Sequence, residues 1–168
     1  MRTAIAFLMH GYLGSGKTTL ARRLEAHESA IRFTHDEWMQ ALYGDDPPDR
    51  YFAEYKQRVF KLMEATWTRC LALNINVVLD FGLWSRSERD HVRDIVASLG
   101  CVARLYHLSC PNDLAWDRIE KRNEHLKASL FISPNTFIVL RSRFEPLDPD
   151  EARIEIDTTG QVFTDGDY

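Results

Sequence analysis

Residues 11 to 18 read Gly11-Tyr12-Leu13-Gly14-Ser15-Gly16-Lys17-Thr18, directly after an apolar run from Thr3 to Met9 that has the pattern of a buried strand. This is the GxxxxGK[ST] spelling of a phosphate-binding loop, in its confirming setting of strand before and helix after. Its three glycines let successive backbone N–H groups converge on one anion, in conformations that a Cβ penalises. A helix starting near Lys17 adds a partly positive N-terminus that runs on through Thr19. Lys17 brings a full charge to the outer phosphates, and the Thr18 hydroxyl is placed to ligate Mg²⁺. The expected ligand is a nucleoside triphosphate.

Two acids follow other strand-like runs. Asp36 lies in Thr34-His35-Asp36-Glu37-Trp38, and Asp80 ends Val77-Val78-Leu79-Asp80 ahead of Phe81-Gly82-Leu83-Trp84-Ser85-Arg86. Phosphoryl transfer to a hydroxyl needs an acceptor oxygen aimed at the γ-phosphate, and a carboxylate that accepts the hydroxyl proton does this. Asp36 is the candidate for that work, or else the N-cap of the helix through Trp38 to Leu42. Asp80 has the position of an acid that reaches Mg²⁺ or the acceptor, or that orders the turn at Gly82. Arg118 and Arg122, four apart with Lys121 between, present charge suited to a transferring phosphoryl group, or form a solvated face paired with Asp117 and Glu120. Arg86 and Arg89 carry the same ambiguity. Trp38, Tyr43 and Trp84 are candidates for stacking on a substrate, with core packing as the alternative. His10 reads as structural, and the six histidines show no metal-binding spacing.

These residues need a frame that brings strand ends together. Strand-like runs at Thr3–Met9, Ile31–Thr34, Asn76–Asp80, Val102–Leu108 and Arg153–Asp157 alternate with helical spacing, which predicts a parallel sheet with crossover helices. Phe52, Val59, Phe60, Met63, Cys70 and Leu71 mark one helix face; Val92, Ile95, Val96 and Leu99 mark another, opened by a Ser85/Glu88 capping pattern. Asp45 to Arg50, around Pro47 and Pro48, reads as a loop. In such a sheet ligands gather at the carboxyl ends of the strands, where the loop and both acids fall.

The 168 residues suit one domain, 45% hydrophobic and 27% charged. Residues 145 to 168 hold eight acids and one base, leaving twenty bases against seventeen acids in the rest, so the body is nearly neutral and the tail acidic. Without a basic stripe, extensive duplex or RNA binding is not expected, although a short strand end still fits. Cys70, Cys101 and Cys110 are odd in number and lack CxxC spacing, which suits reduced thiols and a cytoplasmic protein. No leader and no membrane span is expected.

With these residues in hand, the chain resembles the small P-loop kinases grouped around the polynucleotide 5′-kinase domain, chloramphenicol phosphotransferase and zeta toxins. Gly11 to Thr18 matches the family's phosphate loop, Thr34 to Trp38 the segment bearing its catalytic aspartate, and Val77 to Asp80 its acid-tipped third strand. Leu114 to Arg143, with Lys121-Arg122-Asn123, looks like the lid of the polynucleotide kinase domain. The resemblance implies an α/β P-loop NTPase fold in three layers, with a five-stranded parallel sheet in the order 2-3-1-4-5, a helical lid at approximately 118–136 and an acidic tail at 158–168. It implies transfer of the γ-phosphate of ATP, with Mg²⁺, to a hydroxyl. Asp36 would be the general base, Lys17 and Arg122 phosphate stabilisers joined by Arg118, and Thr18 and Asp80 the metal side. Thr158 would lie near the base, and Trp38, Asp80, Trp84 and Arg86 near the acceptor. Where the polynucleotide enzyme has a further lid arginine this chain has Leu126, which with the acidic total charge weakens the nucleic-acid reading; a small-molecule hydroxyl is the expected acceptor, with a nucleic-acid 5′-hydroxyl and a nucleotide sugar as runners-up. A nucleotide-dependent switch is the rival of another class. It is disfavoured by Phe81, where a hydrolytic enzyme needs Glu to polarise water, and by the lack of an NKxD motif.

Overall fold

A computed structural model of the chain describes residues 3–44, 47–124 and 131–159. Five strands, β1 (Ile5–Gly11), β2 (Ile31–Thr34), β3 (Val77–Asp80), β4 (Val102–Ser109) and β5 (Ile154–Asp157), form one parallel sheet in the order β2-β3-β1-β4-β5. The helices are α1 (Lys17–His27), α2 (His35–Tyr43), α3 (Asp49–Ala72), α4 (Arg86–Ser98), α5 (Asn112–Glu124) and α6 (Pro134–Arg141). The expected strand order is the observed one. Register places Thr34 beside Asp80 and Ser109 beside Asp157, while Gly11 lies beside Leu108, so the strand ends share one rim.

Alternation of side chains along β1 divides the core. Ala6 and Leu8 join Phe33, Leu79 and Leu105 under α3 and α4, whose Val59, Met63, Trp67, Leu71, Val92 and Val96 complete one cluster. Phe7 and Met9 face the other way, onto Leu20, Ala21 and Leu24 of α1. Truncating one of the fully buried leucines or methionines costs about 2–5 kcal/mol. Asn76 ties the starts of three strands: its Oδ1 accepts from Ile5 N at 2.9 Å, its carbonyl accepts from Ile31 N at 2.9 Å, and its amide donates to Glu28 O at 2.9 Å.

Ser85 caps α4 with both halves of a capping box, as its spacing with Glu88 predicts. Three local expectations are corrected. The segment around the two prolines is shorter than a loop to Arg50, because α3 already begins at Asp49 behind Pro48, whose fixed φ of −56° leads into the helix. Leu99 is no core residue; it follows the last turn of α4 and is 37% exposed. Helix α2 begins at His35 with Thr34 as its N-cap, so Asp36 is the second helical residue and not the cap.

Candidate functional site

The phosphate loop is built by steric exclusion. Gly14 and Gly16 adopt φ of +75° and +96°, and a Cβ on Gly14 would stand 2.3 Å from Ala115 O of α5, so only glycine lets α5 seat against the loop. Ser15 N donates to Tyr12 O at 3.2 Å, closing the turn into α1. Lys17 folds back across it, with Nζ donating to Gly11 O and Tyr12 O at 2.8 Å each. Burial lowers its pKa to about 8, against the opposing pull of Asp80 and Asp36. The cradle that a Cβ would fill, the lysine across it and the exposed Thr18 and Thr19 fit a triphosphate.

Asp36 and Asp80 are brought to this rim in different states. Asp80 is 5% exposed. Burial raises its pKa, opposed by the Lys17 charge, a Thr18 hydrogen bond and Arg32. An acid beside the Thr18 hydroxyl at the end of a buried strand has the oxygen donors that Mg²⁺ takes. Asp36 is open to solvent, its side chain 60% exposed. A hydrogen bond from His35 lowers its pKa against partial desolvation, helped by Arg122 and Lys17. At the second position of α2 it also meets the positive end of that helix. Arg122 of α5 is half-buried; burial lowers its pKa, the Asp36 charge works against that, and its Nε has no hydrogen-bond partner among the described residues. Lys17, Asp36, Asp80, Thr18 and Arg122 therefore form one electrostatic cluster.

Other candidates are engaged elsewhere. Arg118 braces the loop, donating to Gly14 O at 3.3 Å, Thr158 Oγ1 at 3.2 Å and Thr158 O at 2.7 Å. Thr158 is itself 1% exposed, with its hydroxyl on Ser109 O at 3.0 Å. Trp38 packs against Phe33 and Tyr43 stacks on Tyr55, so both belong to the core on the α3 side and not to a stacking surface. Trp84 donates from Nε1 to Gly11 O at 3.2 Å and lies against Tyr12 and Phe144, a brace for the loop and not an open platform. Arg86 is spent on Asp90, Asp148 and Asp150, between 2.8 and 3.1 Å away, and so is not free for an acceptor. Arg89 is fully buried against Glu151. Leu126 lies outside the described residues.

Two contributors are invisible to motif reading. Arg32 clamps the rim, reaching Asp80 at 3.4 Å, both Glu37 oxygens at 3.0 Å and Glu25 at 3.2 Å. Its burial works against the charge, but Glu37, Glu25 and Asp80 outweigh it and raise the pKa. His35 is buried, stacked on Phe60 at 4.4 Å with Nδ1 3.5 Å from Asp36 Oδ1, and so fixes the carboxylate's direction. Phe60 in turn meets Phe81, the residue after Asp80, edge to face. A cavity of about 220 Å³ lies between α3 and α4 behind these rings, and a larger one of about 400 Å³ lies beside Tyr12 and the end of β4.

Residues 7–147 match a family model described as an AAA domain. No curated protein matches the sequence. Among solved structures, a candidate kinase from Chloroflexus aurantiacus J-10-fl shares 16% identity over 94% of this chain and 90% of its own, with a TM-score of 0.76. A gluconokinase from Sinorhizobium meliloti 1021 shares 18% over 96% and 86%, with a TM-score of 0.66. A chain of the Pnkp1/Rnl/Hen1 RNA repair complex shares 21% over 85% of this chain but only 44% of its own, with a TM-score of 0.71. At these identities the likeness is one of fold. No helix among the described residues is long and apolar enough to cross a membrane.

Proposed function

This chain belongs to the AAA-domain family, and we propose that it is a phosphotransferase that moves the γ-phosphate of ATP to a hydroxyl of a small molecule. One observation carries the reading. An ionised, solvent-open Asp36 stands in the same charge cluster as Lys17, Arg122 and a buried Asp80, at the mouth of a glycine-built phosphate loop. A hydrolytic switch would carry its water-polarising acid directly after Asp80, where this chain has Phe81, whereas Asp36 stands after another strand, where an incoming alcohol can be met.

In the proposed step the acceptor oxygen bonds to the γ-phosphorus, the bond to the bridging β–γ oxygen breaks, ADP leaves, and the hydroxyl proton passes to Asp36. Because its carboxyl titrates below the usual range, Asp36 is a weak base. It aims the hydroxyl first and takes the proton once the oxygen has begun to bond, as a loose transition state requires. Lys17 and Arg122 meet the charge on the phosphoryl oxygens. Arg118 acts from behind, holding Gly14 and Thr158 where the nucleotide docks. Thr18 and Asp80 are the residues that would hold Mg²⁺, which supplies neutralisation of the phosphate oxygens when bound. Closure of the α5–α6 region over the rim would exclude water.

The acceptor side supports a small molecule. Beside Asp36, Glu37 ties up Arg22 and Arg32, and the rings of His35, Phe60 and Phe81 pack together, where a nucleic-acid strand would ask for a track of unpaired basic side chains. A gluconokinase is among the structures of like fold, in keeping with a small-molecule acceptor; the chain of the RNA repair complex keeps a 5′-hydroxyl as the second reading. A transfer screen with γ-labelled ATP across sugars, sugar acids, nucleosides, hydroxylated antibiotics and 5′-hydroxyl oligonucleotides tests both. Label on a small acceptor supports the proposal, label on oligonucleotides alone selects the second reading, and release only as inorganic phosphate removes both.

A further inference from the structure

The larger cavity lies across the phosphate loop from the acceptor side. Asp36 follows β2 and Asp80 ends β3, whereas this cavity is floored by the end of β4 and covered by Arg141, Phe144 and Leu147; β1 and its loop lie between the two. Its volume of about 400 Å³ falls within the roughly 300–1,000 Å³ of small-molecule sites. None of its lining residues is acidic, while Arg141, Arg153 and His107 all line it. Arg153 and His107 share the Glu155 carboxylate. Arg141 has no such counter-charge: its guanidinium lies over the rings of Tyr12 and Phe144, at 4.6 and 5.2 Å, and among the described residues no carboxylate pairs with it.

We propose that this cavity is a second ligand site for a small organic anion with a single head group, a carboxylate or phosphate borne on an apolar or aromatic body. The anion sits on Arg141 and the body lies against Leu13, Phe144 and Leu147. Arg141 is exposed at this cavity, and as the lining cation with no carboxylate partner among the described residues it offers a charge-assisted seat for one anionic head group.

The site is wired to the nucleotide. Tyr12, a residue of the phosphate loop, donates its hydroxyl to Phe137 O of α6 and packs edge to face on Phe137 and Phe144. An occupant held by Arg141 touches this link directly, so it changes nucleotide affinity, and the nucleotide changes the occupant's affinity by the same factor. This separates an effector site from a seat for the nucleotide's own base, which would give simple competition.

The test is calorimetric titration of phenyl phosphate and of benzoate into the full chain, with and without saturating Mg·ADP. At least one probe binds the ADP-loaded protein, and Lys17→Ala, which no longer holds ADP, still binds it. Arg141→Ala weakens the probe about tenfold or more, as expected for losing a charge-assisted contact. Leu147→Trp, which puts an indole into the cavity and leaves the Arg141 side chain in the protein, abolishes binding while ADP binding, read in the same titrations, shows that the fold is kept. Binding of either probe alone identifies the head group. The proposal is overturned if ADP displaces both probes stoichiometrically, if the Arg141 and Leu147 variants bind as the parent does, or if neither probe binds.

Discussion

Lys17 gives the most quantitative prediction. In the empty protein its ammonium is buried between Gly11 O and Tyr12 O, which lowers its pKa from 10.5 to about 8. Phosphates favour the charged form, so nucleotide binding returns the pKa to its ordinary value of about 10.4 or above and takes up a proton at alkaline pH. The sign follows: the competent, protonated fraction of free protein falls as pH rises through about 8, so affinity falls with it. Between pH 7 and 9 the free-state term grows about tenfold while the bound state barely titrates, so Kd for Mg·ADP rises about tenfold, or ~1.4 kcal/mol. Calorimetry in buffers of different ionisation enthalpy measures this, and proton uptake peaks near pH ~9, midway between the two pKa values. Affinity unchanged from pH 7 to 9 with no proton uptake would refute a desolvated lysine.

Four further outcomes follow from the same contacts. Asp36→Asn keeps nucleotide affinity within about twofold and loses roughly 10² or more in turnover, as removal of a general base does; single-turnover transfer beside ADP binding checks it. Arg32→Gln releases Asp80 and Glu37, so the Mg²⁺ concentration for half-maximal activity rises several-fold while metal-free ADP binding holds, read from metal titrations. Glu151→Gln strands Arg89, since both side chains are 0% exposed and 2.8 Å apart; a loss of about 3–5 kcal/mol lowers the melting temperature by on the order of 10 °C. His10 is fully buried, and desolvation, with the charges of Arg89 and His107, lowers its pKa to about 3. The unfolded chain therefore binds a proton below about pH 6.5 that the folded one refuses, stability falls as pH drops from 6.5 toward 3, and His10→Phe flattens that slope in denaturant titrations at pH 7 and 5.

What could be read from the sequence was local. The phosphate loop is contiguous, and two of its three glycines answer to backbone conformation as their spelling implies, Gly14 and Gly16 taking positive φ; Gly11 does not, and is required instead by close packing, since a Cβ there would stand 2.5 Å from Ser15 Oγ. The capping box is likewise a three-residue relation, and both of its hydrogen bonds are present. Strand runs show in apolar continuity because a parallel sheet is covered on both faces. Contacts made over long separations left no such trace. Arg32 lies 48 residues from the Asp80 it clamps, and Arg89 lies 62 from Glu151; only the folded chain shows which arginines are spent. Trp67, among the largest fully buried side chains, continues the helix face that Met63 and Leu71 mark, one turn from each. Trp84 and Arg86 stand at the expected rim but are turned to brace Gly11 and the 148–151 segment. Asp36 was legible as an acid at a strand end, whereas its release from capping depended on a helix that starts at His35, two residues earlier than a cap at Asp36 requires.

The central claim, an alcohol aimed by Asp36 at a loop-bound triphosphate, is tested most directly by product partition. With γ-labelled ATP and an acceptor found by screening, the ratio of label on acceptor to label in inorganic phosphate is measured for the parent and for Asp36→Asn. The account predicts that the acceptor product dominates in the parent and is lost in the variant, with only slow phosphate release remaining. Equal phosphate release from both proteins, with no labelled acceptor, would contradict it.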